Sequence, residues 1–239
     1  GLGNLPGLQI GGTYYPLDGN VYNFLMYNKV LTQTEILQNY YQSNIVTDGL
    51  IYAIDPSNPS SYESGSTTAY SLTGSVNGTL VNGVGYNTSN SGIWTFDGMD
   101  DYLITQTITG YKSLCFWVYW DNTGPLEIWK YLLDARTGMN AGWFVPSAAS
   151  MGSDWNSIFY VNGASVSACN TTNVPINRWN HIYLEGVNAS YTSTINFMSR
   201  YTNNEQAGGK IGGIYVYNKA LSQAEILQNF NAQRSRFGI

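Results

Sequence analysis

The residues best suited to chemistry are three carboxylates close together, Asp97, Asp100 and Asp101 in the stretch IWTFDGMDDYLIT. Clustered hard oxygen ligands are what calcium prefers, and a full site takes about six to eight of them. The same Phe-Asp-Gly-x-x-Asp-Tyr pattern is also a hairpin signature, in which Asp97 and Gly98 satisfy the turn and Asp101 bonds nearby backbone N–H groups. A second neighbourhood gathers Trp143, Trp155 and Tyr160 with Asn140, Asp154 and Asn156. Aromatic faces beside polar groups are what a sugar ring needs for stacking and hydrogen bonding. The competing reading places Trp143 and Tyr160 in the core and Trp155 at an interface, because large aromatics in sandwiches are mostly buried.

Hydrolytic chemistry finds little to work with. Glycoside hydrolysis needs two carboxylates about 5 to 9.5 Å apart across the sugar. Glu35, Glu63, Glu127, Glu185, Glu205 and Glu225 are scattered, and no Glu-x-Asp-x-Glu run exists. His181 is the single histidine and lies in the alternating run WNHIYLE, so neither a catalytic triad nor a zinc site can use a second imidazole. Cys115 and Cys169 allow one bridge at most and read as free thiols. No enzymatic activity is expected, and no cofactor beyond calcium at the three aspartates.

The elements that must position these residues are organised around an internal repeat. Val21 to Tyr40, VYNFLMYNKVLTQTEILQNY, returns as Ile211 to Phe230, IGGIYVYNKALSQAEILQNF, at a constant offset of about 190 residues. Each copy reads as a strand feeding a short helix. Thr32 and Ser222 are the N-caps, Glu35 and Glu225 complete capping boxes, and Leu31 and Leu221 can staple onto Ile36 and Ile226. In the second copy Ile226, Leu227 and Phe230 form the apolar stripe, which leaves Gln223, Gln228 and Asn229 to water or to neighbours. Upstream, Leu8, Ile10 and Tyr14 align with Ile195, Phe197 and Tyr201.

Between the copies run short strand signals punctuated by turns: 49–62 with its strand stopped by Asp55-Pro56, AYSL, 78–83 with an Asn-Gly turn, GVGYN, 93–105 around an Asp-Gly turn, 113–120, 128–135, 142–145, 157–163 ending in Asn-Gly, 179–187, 194–199 and 210–219. SLCFWVYW (113–120) is apolar on both faces and therefore central. Aromatic residues make up 15% of the 239, with 20 Tyr, 7 Trp and 26 Gly, a β-rich composition. The pattern predicts an all-β, two-sheet antiparallel jelly-roll sandwich with a short C-terminal helix.

Only 10% of residues are charged and the formal net charge is -5, so no electrostatic attraction to nucleic acid is expected. No run approaches the ~20 apolar residues of a spanning helix, which argues against membrane insertion. Asn77, Asn87, Asn170 and Asn188 stand in Asn-x-Ser/Thr patterns, which chance supplies readily in a chain this rich in those residues.

The ordered series GLIYAIDPSNPSSY, AYSLTG, NGTLVNGVGYN, IWTFDGMDDYL, CFWVYW, RWNHIYLE and GKIGGIYVYNKALSQAEILQNF resembles the laminin G-like, or concanavalin A-like lectin/glucanase, domains of tailed-phage and marine-virus structural proteins and of bacterial surface proteins. The resemblance implies a complete domain over 48–239, a linker at 44–47, and in 1–43 the last two strands and helix of a preceding domain. It further implies adhesion or glycan contact in a virion fibre, spike or capsid decoration, or in a cellular extracellular adhesin or filament. Its partners would be neighbouring subunits of an assembly and cell-surface glycans, and its location a virion surface or the extracellular space.

Overall fold

The computed structural model describes residues 26–31, 45–121, 129–136, 142–152, 158–186 and 190–239. Most of the first repeat copy lies outside them. In chain order the strands are β1 (Leu50–Ile54), β2 (Thr68–Ala69), β3 (Gly78–Val81), β4 (Gly85–Asn87), β5 (Ile93–Asp97), β6 (Tyr102–Thr105), β7 (Ile108–Tyr111) and β8 (Ser113–Trp120). They continue as β9 (Leu133–Asp134), β10 (Trp143–Val145), β11 (Ser150–Met151), β12 (Ile158–Val161), β13 (Ala164–Ser165), β14 (Trp179–Glu185), β15 (Tyr191–Ser193), β16 (Asn196–Phe197) and β17 (Gly208–Tyr217). Helix α1 (Gln223–Gln233) and a 3-10 turn (Arg234–Phe237) follow.

The strands form the expected antiparallel sandwich. The larger sheet runs β13-β12-β14-β8-β17-β5-β4, and the smaller β11-β10-β9-β16-β6-β3-β2. Along one side of β17, β5 pairs with Gly208–Ile211 and β1 with Ile214–Tyr217, so these two strands lie end to end. A third, two-stranded sheet, β15-β7, was not signalled by the sequence. Two expected strands are shorter than their apolar runs: only Ala69 of AYSL is in a strand, and among the described residues of 128–135 only Leu133–Asp134.

Strand β8 shows why one run is apolar throughout. Leu114, Phe116, Val118 and Trp120 face the smaller sheet in the main core. Cys115 and Trp117 face the other way and are covered by α1 and the C-terminal turn. The domain therefore has three layers, with the larger sheet in the middle. Both cysteines are free and buried.

Helix α1 begins with the predicted capping box, in which Glu225 N–H donates to the Ser222 hydroxyl and Ser222 N–H donates to the Glu225 carboxylate. Its buried stripe differs from the expectation. Ile226, Asn229, Phe230 and Gln233 stand at i, i+3, i+4 and i+7 and are buried, while Leu227 lies off that face and is 44% exposed. Phe237 then fills a slot that only glycine allows, since a Cβ on Gly212 would lie 2.5 Å from its ring. Gly212 sits where β17 shifts register against β8, between Ile211 and Ile214.

Ile45 and Val46, expected in the linker, are packed into the core beneath α1. Val46 N–H donates to Asn229 Oδ1 at 2.8 Å, and the Tyr217 hydroxyl donates to Val46 C=O at 3.1 Å. Met26 and Tyr27 behave oppositely, being 72% and 40% exposed, whereas their repeat counterparts Val216 and Tyr217 are buried. The packed unit thus includes Ile45 and Val46. A fragment of residues 45–239 is expected to melt within about 2 °C of the full chain, while one starting at Asp48 loses about 2–3 kcal/mol, roughly 5–10 °C, for two buried aliphatics and their hydrogen bonds. Differential scanning calorimetry of the two fragments checks this.

Candidate functional site: an aromatic and guanidinium cluster on the smaller sheet

The strand register fixes which side chains share a face. Across β10, β9, β16 and β6 the residues Phe144, Leu133, Phe197 and Leu103 stand side by side and fill the core. The adjacent row, Trp143, Asp134, Asn196 and Ile104, must then point outward. Asp134 and Asn196 are nonetheless buried, because the turn 200–206 folds over them. Asn196 Nδ2 donates to Arg200 C=O and to Asn203 Oδ1, and Tyr201 N–H donates to Asp134 Oδ2 at 3.2 Å. Within and beside that turn Met198, Asn203 and Glu205 hold left-handed φ values of 62°, 58° and 55°, a costly backbone of the kind that collects at functional sites.

This packing assembles a cluster. Arg136 grips Asp134 through Nε, 3.0 and 3.1 Å from the two carboxylate oxygens, and through Nη2, 2.6 Å from Oδ2. Burial works against the guanidinium charge, but hydrogen bonding and attraction to Asp134 outweigh it and hold Arg136 more firmly protonated than usual. Its guanidinium lies 4.5 Å from the Trp143 ring centre, 5.0 Å from Tyr201 and 5.4 Å from Tyr131. Arg200, paired with Glu205 at 3.0 Å, lies 5.8 Å from Tyr201 and 5.9 Å from Tyr131. Trp129 stacks on Tyr131 with centres 6.3 Å apart. Trp129 and Tyr201 are 37% and 38% exposed, and Trp143 is half-buried with its indole N–H on Ser150. Rigid aromatic surfaces are therefore offered to solvent, and both arginine charges beside them are neutralised internally.

Among the described residues of the aromatic neighbourhood expected from sequence, Trp143 alone belongs here. Tyr160 is on β12 in the larger sheet, packed on Tyr183 beneath the helix layer, so the two rings lie on opposite outer faces and share no site. Asn140, Asp154, Trp155 and Asn156 lie outside the described residues. The sequence signal that was missed is the pairing of aromatic and basic residues in Trp129–Arg136 with Arg200–Tyr201, more than sixty positions apart and joined only because β9 pairs with β16.

The three aspartates do come together, with one oxygen of each within 4.8 Å of the others. Asp97 Oδ1 already accepts from the N–H groups of Met99 and Asp100, and Asp101 Oδ2 accepts from Asp97 N–H. The turn role expected for Asp97 and Asp101 is thus present. Desolvation, with repulsion from Asp97 and Asp100, pushes the Asp101 carboxyl up to about 6. A hard cation would relieve that repulsion, and Asp97, Asp100 and Asp101 are the side chains that would hold it.

No protein-family model matches the chain, and no curated protein matches it. Among solved structures, the fold is similar to that of Trypanosoma rangeli sialidase in complex with 2,3-difluorosialic acid, at 14% identity and a TM-score of 0.52 over 86% of this chain. The match spans 38% of the sialidase's length. It is also similar to domain 4 of AbnA, a GH43 extracellular arabinanase from Geobacillus stearothermophilus, in complex with arabinotriose. There the identity is 13% and the TM-score 0.50, over 77% of this chain and 98% of that domain. At such identities the likeness shows the sandwich. No helix among the described residues is long and apolar enough to cross a membrane.

Proposed function

We propose that this chain is a non-catalytic carbohydrate-binding module of an extracellular adhesin or filament, and that the cluster on the smaller sheet is its sugar contact. The observation that carries the reading is the pair of exposed rings: Tyr201, held by Arg136 and Arg200, and Trp129, stacked on the Tyr131 ring that both arginines also contact. Rings fixed in this way stack on the apolar face of a pyranose or furanose with little ordering cost. The internal neutralisation of both guanidiniums favours an uncharged sugar there. The same pairing speaks against hydrolysis, since Asp134 and Glu205 are each committed to an arginine rather than set facing each other across a sugar. Sharing a sandwich with an arabinanase domain solved with arabinotriose fits this reading, although at 13% identity it is the cluster that carries it.

A virion fibre, spike or capsid decoration is the second reading. It is favoured by the motif series resembling laminin G-like domains of phage structural proteins and by the tandem repeat. A secretion leader or sorting signal in the surrounding gene supports the first setting; neighbouring capsid or tail genes support the second. The binding function is tested on a glycan array, followed by isothermal titration with a neutral oligosaccharide selected from it. Trp129→Ala and Tyr201→Ala are each expected to weaken binding about tenfold or more without lowering the melting temperature, as truncation of exposed aromatic anchors does. A folded chain that binds no neutral glycan removes the reading, and so does binding that both variants leave intact.

A further inference from the structure

The opposite outer face, that of the larger sheet, carries an open cavity of about 430 Å³ bordered by Tyr119, Asn162, Arg178, Trp179, Phe237 and the two residues after it. The volume falls within the usual range for a small-ligand site. One wall is aromatic: Tyr119 meets Trp179 edge-on at 5.9 Å, and Trp179 packs on Phe237 at 4.4 Å. The charged side chains around it are cationic. Arg178 is an exposed guanidinium, and Lys210 Nζ lies 4.5 Å from the Tyr119 ring centre. Asn162 Oδ1 is occupied by His181 N–H at 2.8 Å, which leaves the amide NH₂ as the group it can offer.

Lys112, Arg178, Lys210 and Arg234 have no carboxylate partner among the described residues, and two of them, Arg178 and Lys210, stand at this place. Arg136, Arg200, Lys219 and Arg236 all have carboxylate partners, whereas no described carboxylate pairs with Arg178 or Lys210. In a chain of net charge -5 with only 10 basic residues, Arg178 borders the cavity that Tyr119 lines and Lys210 lies over the Tyr119 ring. A cavity lined by donors and cations, with an aromatic wall and no paired acid, complements an acceptor-rich anion on an apolar ring.

We propose that this cavity binds an anionic sugar residue, a pyranose bearing a carboxylate or sulfate, with the anion on Arg178 and the ring against the Tyr119 and Trp179 wall. It is a second site, separated by the thickness of the sandwich from the neutral-sugar cluster and independent of it. The experiment titrates the full chain, followed by tryptophan fluorescence and saturation-transfer NMR. The probes are 3′-sialyllactose and a galacturonic acid trisaccharide for carboxylates, a heparin-derived disaccharide for sulfate, lactose as the neutral control and tetraglutamate as a peptide anion. Saturable binding of a carboxylated or a sulfated sugar is expected, and the arm that responds identifies the anion. Arg178→Gln should weaken it at least tenfold and Lys210→Gln less, while Trp129→Ala leaves it unchanged. Arg178 is exposed, so the folded state should survive its replacement. No saturation by any anionic sugar overturns the proposal. Lactose binding that competes with the anionic sugar and is weakened by Arg178→Gln, tetraglutamate bound as tightly as the sugars, or an unaltered Arg178→Gln variant does so as well.

Discussion

Replacing Arg236 by methionine is expected to destabilise the domain by about 3–5 kcal/mol, roughly 10 °C in melting temperature, because it leaves a buried carboxylate without its counter-charge. Asp55, at the end of β1, is buried, and its Oδ2 receives Arg236 Nη1 at 2.8 Å, the Tyr215 hydroxyl at 2.9 Å and Gln233 Nε2 at 3.2 Å. Arg236 also donates to the carbonyls of Asn90 and Gly92, tying the C-terminal turn to the 3-10 turn at Ser89–Ser91. Desolvation alone would raise the Asp55 carboxyl; Arg236, with help from Ser57, reverses this and holds it below the ordinary carboxylate value. Without the guanidinium, desolvation wins. Adding Asp55→Asn to Arg236→Met should recover part of the loss, since the orphaned charge is then gone. Urea melts of the two single variants and the double variant measure this. A single variant as stable as the native chain would show that the network does not anchor the third layer.

The second large effect concerns acid. His181 on β14 is buried, with its ring 5.0 Å from Trp117 of β8 and 6.0 Å from Phe230 of α1. Its Nδ1 has no hydrogen-bond partner, and desolvation pushes its pKa down to about 3. On the helix layer the Arg234 guanidinium lies 5.8 Å from the same Phe230 ring, and a positive charge there also disfavours an imidazolium. A base whose folded pKa lies below its unfolded value of about 6.5 stabilises the fold above 6.5 and loses that stability as pH falls from 6.5 toward 3, by at most about 5 kcal/mol. Two other groups act in acid. Asp55, with its lowered pKa, adds a loss at lower pH, while Asp101, raised to about 6, gives a gain as it protonates. The comparison that isolates His181 is therefore His181→Leu against the native chain at each pH. The variant is expected within about 1 kcal/mol of native at pH 7 and about 2–3 kcal/mol more stable relative to it at pH 4.5. Parallel stability curves for the two proteins from pH 7 to 4 would place the acid sensitivity elsewhere.

Alternation and turn chemistry in the sequence were enough for the sandwich, because they are local. Asn-Gly and Asp-Gly turns bracket β3, β5 and β6, and WNHIYLE and SLCFWVYW are strands from end to end. The capping box at Ser222 and Glu225 is likewise written in adjacent residues and forms as read. Residue type misled where a distant surface supplies the partner. Asn229 and Gln233 are polar, yet they stand on the buried stripe of α1 because the sheet beneath presents the hydroxyls of Tyr217 and Tyr215 and the carboxylate of Asp55. Ile45 and Val46 sit in a stretch that reads as a connector, but the same helix draws them into the core. The sugar-contact candidate depended on tertiary structure most of all. Trp143 and Tyr160 are close in sequence and face opposite sides of the domain, whereas Trp143, Arg136 and Tyr201 come from segments that meet only when β9 is hydrogen-bonded between β10 and β16. Spacing along a chain determines which face of its own strand a side chain takes; which strands become neighbours is settled by long-range pairing, and with it which rings and charges meet.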